Sequence, residues 1–148
     1  MTMTSQPLGF LIVDVARLLR RNLDSALAEA SLGLTAGEAR TLLRCERYGG
    51  ATGLRQSVLA ELMTVEPMTL VGYIDRLERA GLVGRFPDPA DRRAKLIRTL
   101  PAATPVVERI AEIAASVRES ATRGLPEEQI ALMRGALEHM CQRLADGN

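Results

Sequence analysis

The sequence has no tryptophan, one histidine and one lysine in 148 residues, and only 3% of its residues are aromatic. The single histidine, His139, lies beside Met140 and Cys141, with no nucleophile motif, metal-ligand spacing or phosphate-binding loop around it. These absences argue against an enzyme. We therefore expect neither a catalytic site nor a cofactor or metal site.

Cysteine is also scarce, since the chain contains only Cys45 and Cys141. The two are far apart in sequence and form no Cys-x-x-Cys or Cys/His cluster. A disulfide framework and a zinc site are therefore not indicated. We expect both residues to act as small buried hydrophobic side chains.

Long apolar runs are missing as well. No stretch approaches the 18 or more uncharged apolar residues that a spanning helix needs, and the first residues lack a basic segment followed by an apolar run. These features predict a cytoplasmic protein. A length of 148 residues, with 47% hydrophobic and 25% charged side chains, is typical of one compact domain spanning 1–148.

The formal net charge of +1 is unevenly distributed. Residues 99–148 carry five arginines against seven acidic residues, whereas residues 85–98 carry five cations against only two acidic residues. All cations except Lys95 are arginines, whose forked guanidinium suits phosphate and guanine. The positive charge is thus concentrated in one short segment.

Apolar residues recur at helical spacing over residues 8–30, which predicts a long amphipathic helix. Thr35, with Glu38 three residues later, forms the sequence pattern of a capping box. This pattern predicts a second helix that runs to about Arg47. A glycine-rich loop follows at residues 48–53.

The next segment predicts a helix-turn-helix. Residues 54–63 form a short helix with Val58, Leu59 and Leu62 inward, and three residues separate it from a helix over 67–80. Pro67 suits the first position of that second helix, and Gly81 suits the left-handed conformation that ends it. The buried stripe of this helix is expected to be Leu70, Ile74 and Leu77.

Two short strands, 82–86 and 94–99, are predicted next, separated by a charged loop over 87–93. Two more helices follow, one beyond Pro101 to about Arg123 and one through Leu144. The fold class is therefore mainly α with a small β-hairpin wing. It is a winged helix-turn-helix with six helices.

The 67–80 helix offers a polar face that suits the major groove of DNA. Thr69, Gly72, Tyr73 and Arg76 follow one another at spacing i, i+3, i+4 and i+7. A merely solvated face would show the same pattern. The basic hairpin that follows at once favours the nucleic-acid interpretation, because arginines at a hairpin tip suit phosphate contact or the minor groove.

Three residues of this hairpin tip carry that prediction. Arg92 and Arg93 are the expected DNA contacts, and Asp91 is expected to hold one of their guanidinium groups in a fixed pose. An exposed turn aspartate of little consequence is the alternative.

Several segments resemble the MarR family of bacterial regulators, and within it the SlyA-like branch. The resemblance extends over nearly the whole chain, and its most specific part is the last of the runs that follow. The runs are Leu34-Thr35, Leu59-Ala60-Glu61-Leu62, Glu66-Pro67-Met68-Thr69-Leu70-Val71, Ile74-Asp75-Arg76-Leu77-Glu78, Gly81-Leu82-Val83-Gly84-Arg85 and Asp88-Pro89-Ala90-Asp91-Arg92-Arg93-Ala94-Lys95.

The resemblance implies an intertwined homodimer that places two winged lobes on a pseudo-palindromic operator. Residues 8–30 and 101–146 would form the dimerisation helices, and residues 34–100 the DNA-binding lobe. By the same resemblance Asp91 and Arg93 match the wing-tip aspartate and arginine of the family, and Arg85 matches the arginine that begins the wing. Lys95 belongs to the same basic run.

Gly72 departs from the SlyA-like pattern, which usually has an arginine there. Because glycine costs about 1 kcal/mol relative to alanine inside a helix, we expect a close approach of neighbouring atoms at this position. The resemblance also implies a small aromatic or lipophilic effector, for which Arg17, Arg21 and Tyr48 are candidate contacts. A winged helix that binds protein rather than DNA is the alternative function.

Overall fold

A computed structural model describes residues 5–147 of the chain. The described part forms two compact units, one extending through Val117 and one beginning at Arg118. Within it lie six α-helices, a short 3-10 turn and one three-stranded sheet. The elements are α1 (Leu8–Glu29), α2 (Ala36–Gly49), β1 (Leu54–Arg55), α3 (Gln56–Met63), α4 (Pro67–Arg79), β2 (Val83–Asp88), β3 (Asp91–Thr99), the 3-10 turn (Pro101–Ala103), α5 (Thr104–Thr122) and α6 (Glu127–Ala145).

The predicted fold class is confirmed: the protein is mainly α, with a winged helix-turn-helix. The capping box also forms, because the Thr35 hydroxyl accepts from the backbone N–H of Glu38 and the Glu38 carboxylate accepts from that of Thr35. Pro67 occupies the first turn of α4, and Gly81 ends that helix with a φ of +75°. Local sequence signals thus predicted these helix boundaries well.

The core beneath the helix-turn-helix contains the predicted stripe of α4. Leu70, Ile74 and Leu77 are fully buried and belong to one hydrophobic cluster with Leu42 of α2 and Leu59 of α3. Burial of each such side chain contributes about 1.5–3 kcal/mol. This packing determines which face of α4 remains outward.

The predicted inward face of α3 is partly wrong. Val58 is exposed, and the buried residues are Leu59, Ala60 and Met63. Leu54 and Arg55, predicted as the first residues of this helix, instead form strand β1, which pairs with Ile97 and Leu96 of β3. The helix therefore begins two residues later than predicted.

The wing is longer than predicted. Strands β2 and β3 pair in regular register from Val83 with Thr99 to Pro87 with Lys95, and after a register shift Asp88 pairs with Asp91 across the turn at Pro89 and Ala90. The charged loop expected over 87–93 is therefore largely part of the strands. Arg92 and Arg93 lie early in β3, in the stretch 92–94 that has no partner on β2.

Asp88 stabilises this tight turn. Its Oδ1 accepts from the backbone N–H of Ala90 at 2.9 Å, and its Oδ2 accepts from Nε of Arg55 at 2.6 Å. These two interactions, the backbone hydrogen bond first, lower the pKa of Asp88 below its usual 3.8. The interactions fasten the wing tip to strand β1.

Both ends of the described chain carry apolar side chains that the single chain leaves exposed. In α1 these include Phe10, Leu11 and Val13, while α6 buries none of its side chains and exposes Leu132 and Leu144. Such faces suit burial against another apolar surface.

Of the two cysteines that were expected to be buried, one is buried. Cys45 is buried in the core, and its desolvation, together with nearby Glu46, raises the pKa of its thiol to about 12. Its thiolate is therefore scarce at neutral pH, so Cys45 is a poor nucleophile. Cys141 is exposed in the single chain, so its predicted burial is wrong there, and His139 is exposed as well.

Over residues 5–147, no individual helix combines the length and apolar character needed to cross a bilayer. Only α3 and α4 taken together reach that length and composition, across a bend of 110°.

We predict that acid weakens the wing through Asp88. Because its folded pKa is lowered, the ionised carboxylate stabilises the fold above its unfolded pKa, and this contribution disappears as the pH falls through the folded pKa. Asp88→Asn should therefore lower the urea midpoint at pH 7, and this difference from the wild type should shrink at pH 2–3. Asp146→Asn, at an exposed carboxylate, is the control. An equal difference at both pH values contradicts the prediction.

Candidate nucleic-acid interface

The outward face of α4 differs from the predicted one. Successive residues of an α-helix are rotated by about 100°, so Met68 and Gly72 lie opposite the buried stripe. Thr69 lies at the edge of this face and is exposed, as predicted. Met68 is 78% exposed. The interface therefore contains an apolar side chain that the polar spacing of the sequence does not indicate.

Tyr73 was predicted on the outward face, and this placement is wrong. Its ring lies against Gly37 of α2, where a Cβ atom would be only 2.4 Å from the ring Cζ and Oη. Tyr73 is partly buried and packs against the hydrophobic cluster. Position 37 must therefore remain glycine for this contact, which ties α4 to α2.

Arg76 also faces α2 rather than extending freely outward. Its Nε donates to Oε1 of Glu38, a carboxylate that is almost fully buried, and its guanidinium lies 5.8 Å from the centre of the Tyr73 ring. The other carboxylate oxygen of Glu38 accepts from the backbone N–H of Thr35 at 3.1 Å. Because a buried carboxylate needs such partners, the Arg76 side chain is held in place although it is 51% exposed.

Gly72 does not have the close neighbours expected for it. A Cβ atom at this position would meet nothing nearer than the Arg76 guanidinium, at 3.8 Å. That distance is an ordinary van der Waals contact. The expected close approach is therefore wrong, and packing does not require glycine here.

Arg85, at the start of the wing, forms two ion pairs with α4. Its Nη2 donates to Asp75 at 2.7 Å and its Nη1 donates to Glu78 at 2.9 Å, and its side chain is only 22% exposed. The guanidinium thus neutralises two carboxylates on the recognition helix. Its geometry suits joining the helix to the wing better than reaching DNA.

The wing cations remain available to a ligand. Arg92, Arg93 and Lys95 are exposed, and no carboxylate in residues 5–147 lies within ion-pair distance of them. The expectation that Asp91 holds a guanidinium is wrong. Instead, Oδ1 of Asp91 accepts from the backbone N–H of Arg93 at 2.9 Å, and so fixes the backbone that carries this side chain.

The candidate effector residues lie on two helices. On α1, Arg17 is exposed and pairs with Asp14 at 3.5 Å, and Arg21 is exposed. On α2, the Tyr48 hydroxyl accepts from Nη1 of Arg44 at 3.3 Å, and its ring is also approached by Arg47. No hydrogen bond within the described residues joins Tyr48 to Arg17 or Arg21.

Sequence reasoning missed three elements of this interface. The partner of Arg55 is Asp88, the partner of Arg76 is Glu38, and neither long-range pair leaves a local signal. The outward position of Met68 could have been predicted from the sequence, since it precedes Gly72 by four residues and therefore shares its helix face.

The helix-turn-helix of α3 and α4, followed by a basic hairpin, defines a winged helix-turn-helix protein. The family model described as "MarR family" matches residues 34–95. Among solved structures, the transcriptional regulator PA3341 is 33% identical, covers 95% of this chain and 99% of its own, and gives a TM-score of 0.77. The chain belongs to the MarR family.

Two other solved structures are similar over almost the whole chain. CouR from Rhodococcus jostii RHA1, in a crystal with p-coumaroyl-CoA, is 26% identical over 95% of each chain, with a TM-score of 0.72. The transcriptional regulator SlyA is 26% identical over 95% of this chain and 96% of its own, with a TM-score of 0.72. Because these identities are equal, the SlyA-like branch stays a prediction, whereas the family consists of regulators rather than enzymes.

We predict that Gly72→Ala stabilises the protein. Alanine gains about 0.5–1 kcal/mol over glycine inside a helix, and the added methyl group has room. The free energy of unfolding should rise by this amount in urea denaturation at a fixed protein concentration. Gly37→Ala is the matched contrast, since its methyl group would collide with Tyr73. Destabilisation by Gly72→Ala would show that a close contact requires the glycine.

Proposed function

We propose that this MarR-family regulator is a homodimer that binds a pseudo-palindromic DNA operator sequence-specifically through the lobe of residues 34–100. The observation that supports this most is the set of exposed, unpaired cations on the wing that follows the helix-turn-helix. Helices enter the major groove when a partner helix holds their inner face, and a basic wing then reaches the adjoining backbone or minor groove.

The candidate residues divide into two groups by their surroundings. Thr69 and Gly72 meet base edges in the major groove, Arg93 enters the minor groove, and Arg92 and Lys95 contact phosphates. This assignment rests on the exposure of Thr69 and the three wing cations, on the position of Gly72 opposite the buried stripe, and on the basic character of the hairpin tip.

The other four candidates act by positioning. Tyr73 and Arg76 fix α4 against α2, Arg85 joins α4 to the wing, and Asp91 fixes the backbone of Arg93. All four make contacts within the protein that restrict their reach toward DNA. They hold in position the residues that contact DNA.

Dimerisation is proposed through residues 8–30 and 101–146. The exposed apolar side chains of α1 and α6 supply the surface, which a second copy of the chain would cover. A two-fold dimer presents two winged lobes, which accounts for a pseudo-palindromic operator.

Release by a small aromatic or lipophilic anion is proposed as the regulatory signal. CouR, a similar protein, binds p-coumaroyl-CoA in its crystal. In this chain Tyr48 offers a half-exposed ring with Arg44 and Arg47 beside it, and Arg17 and Arg21 add positive charge on α1. Aromatic and cationic groups of this kind suit an aromatic anion.

Binding to a duplex selected from a random library tests the DNA function. We expect Arg93→Ala to weaken the affinity about tenfold or more in fluorescence anisotropy, because a groove contact is lost in each half-site. Arg118→Ala, at an exposed arginine of the other compact unit, is the control and should bind as the wild type does. Sedimentation of both variants should show an unchanged dimer.

Equal binding by Arg93→Ala and the wild type would contradict the wing assignment. Failure to bind any duplex even at low salt would contradict the DNA function itself, and would favour the alternative of a protein-binding winged helix. Where binding occurs, log K should fall linearly with log salt, by about 0.9 for each phosphate neutralised.

We predict that Arg85 affects DNA affinity indirectly, through the two carboxylates that it neutralises. Arg85→Ala leaves Asp75 and Glu78 unneutralised near the polyanionic DNA, so affinity for the selected duplex should fall. Adding Asp75→Asn and Glu78→Gln to this variant should restore most of the lost affinity. If Arg85 contacts DNA directly, the triple variant will bind as weakly as Arg85→Ala.

A further inference from the structure

Met68 is the most exposed large hydrophobic residue between residues 5 and 117, at 78%. It occupies the second position of α4, opposite the buried stripe, and contributes nothing to the core. Single exposed apolar side chains are common on protein surfaces, so what distinguishes Met68 is its position on the outward face of α4.

Two of the candidate arginines, Arg76 and Arg85, are paired with carboxylates of the protein, whereas Arg79, in the last turn of α4, is exposed. Glu38 holds Arg76, and Asp75 with Glu78 holds Arg85. The first two turns of α4, from Pro67 to Gly72, contain no charged residue at all. The end of the helix that enters the groove first therefore has no side chain suited to bidentate recognition of guanine.

We propose that Met68 recognises the C5-methyl group of a thymine in the major groove of each half-site. Thymine is the only standard DNA base that presents an apolar group there. The flexible thioether of methionine adapts to such a surface, and Gly72, one turn later on the same face, leaves room for the base edge to approach. The inference rests on the proposed DNA function.

Charge complementarity favours a DNA duplex as the occupant of this apolar face. The helix begins at the exposed N-cap residue Glu66, and the positive charge that suits phosphates is supplied by the exposed wing cations Arg92, Arg93 and Lys95. Thr69, beside Met68, adds an exposed hydroxyl that can donate to or accept from a neighbouring base. In the proposed complex, Met68 and Thr69 recognise bases and the wing cations contact the DNA backbone.

The test begins with the duplex that the full-length wild type selects from a random library. Each thymine of the selected site is replaced in turn by deoxyuridine, which removes only the methyl group. We expect one symmetric pair of positions at which this change weakens wild-type binding, by about fourfold per half-site and about fifteenfold for both. In Met68→Ala, the same change should leave the affinity unaltered within twofold.

Two further variants make the result specific. Met68→Leu keeps an apolar side chain and should retain discrimination between thymine and deoxyuridine, whereas Met68→Gln has similar length but is polar and should lose it. Since position 68 is exposed, all three variants should fold, and their unfolding midpoints check this.

The outcomes separate the inference from the function on which it rests. A selected site with no methyl-sensitive thymine, or equal sensitivity in wild type and Met68→Ala, would overturn the role of Met68 while leaving DNA binding intact. Unchanged binding of the duplex by Met68→Ala would overturn that role as well, and would assign the residue to a protein surface. Failure to select any duplex would overturn the proposed function and this inference with it.

Discussion

The buried carboxylate of Glu38 is the constraint around which the winged helix-turn-helix lobe is organised. One of its oxygens completes the capping box of α2, and the other accepts from Arg76 of α4. A buried polar group left without partners costs on the order of 1–3 kcal/mol, and a buried charge costs more. Glu38 therefore joins the start of one helix to the flank of another.

The orientation of the recognition helix follows from that link. The Tyr73 ring covers Gly37 one residue before Glu38, so two neighbouring contacts determine the rotation of α4 about its axis. With Arg76 and Tyr73 facing α2, the outward face begins with Met68, Thr69 and Gly72. On this face the first two turns of α4 are thus apolar and hydroxylic, and the exposed arginine of the same face, Arg79, lies in the last turn of the helix.

Much of this fold was predictable from the sequence because its signals are local. The capping box at Thr35, the proline at the start of α4 and the Leu70, Ile74 and Leu77 stripe each depend on residues a few positions apart. The boundaries of the α-helices were accordingly accurate to within two residues. The family resemblance added the arrangement of the lobe.

The errors arose where distant residues decide the local structure. The wing was predicted too short because Asp88 forms an ion pair with Arg55, which is 33 residues away in sequence. This ion pair supports the two-residue turn between the strands. Tyr73 was placed outward because polar spacing alone does not show a glycine on a neighbouring helix. Asp91 binds backbone rather than a guanidinium, a choice that the sequence leaves open.

A crystal structure of the protein with its selected duplex tests the central claim directly, that the first two turns of α4 read bases without arginine while the wing supplies cations. The account predicts Met68 within about 4 Å of a thymine methyl carbon, Arg76 still paired with Glu38, and Arg93 in the minor groove. A complex in which Arg76 has left Glu38 to bind a guanine, with the wing away from the DNA, would contradict it.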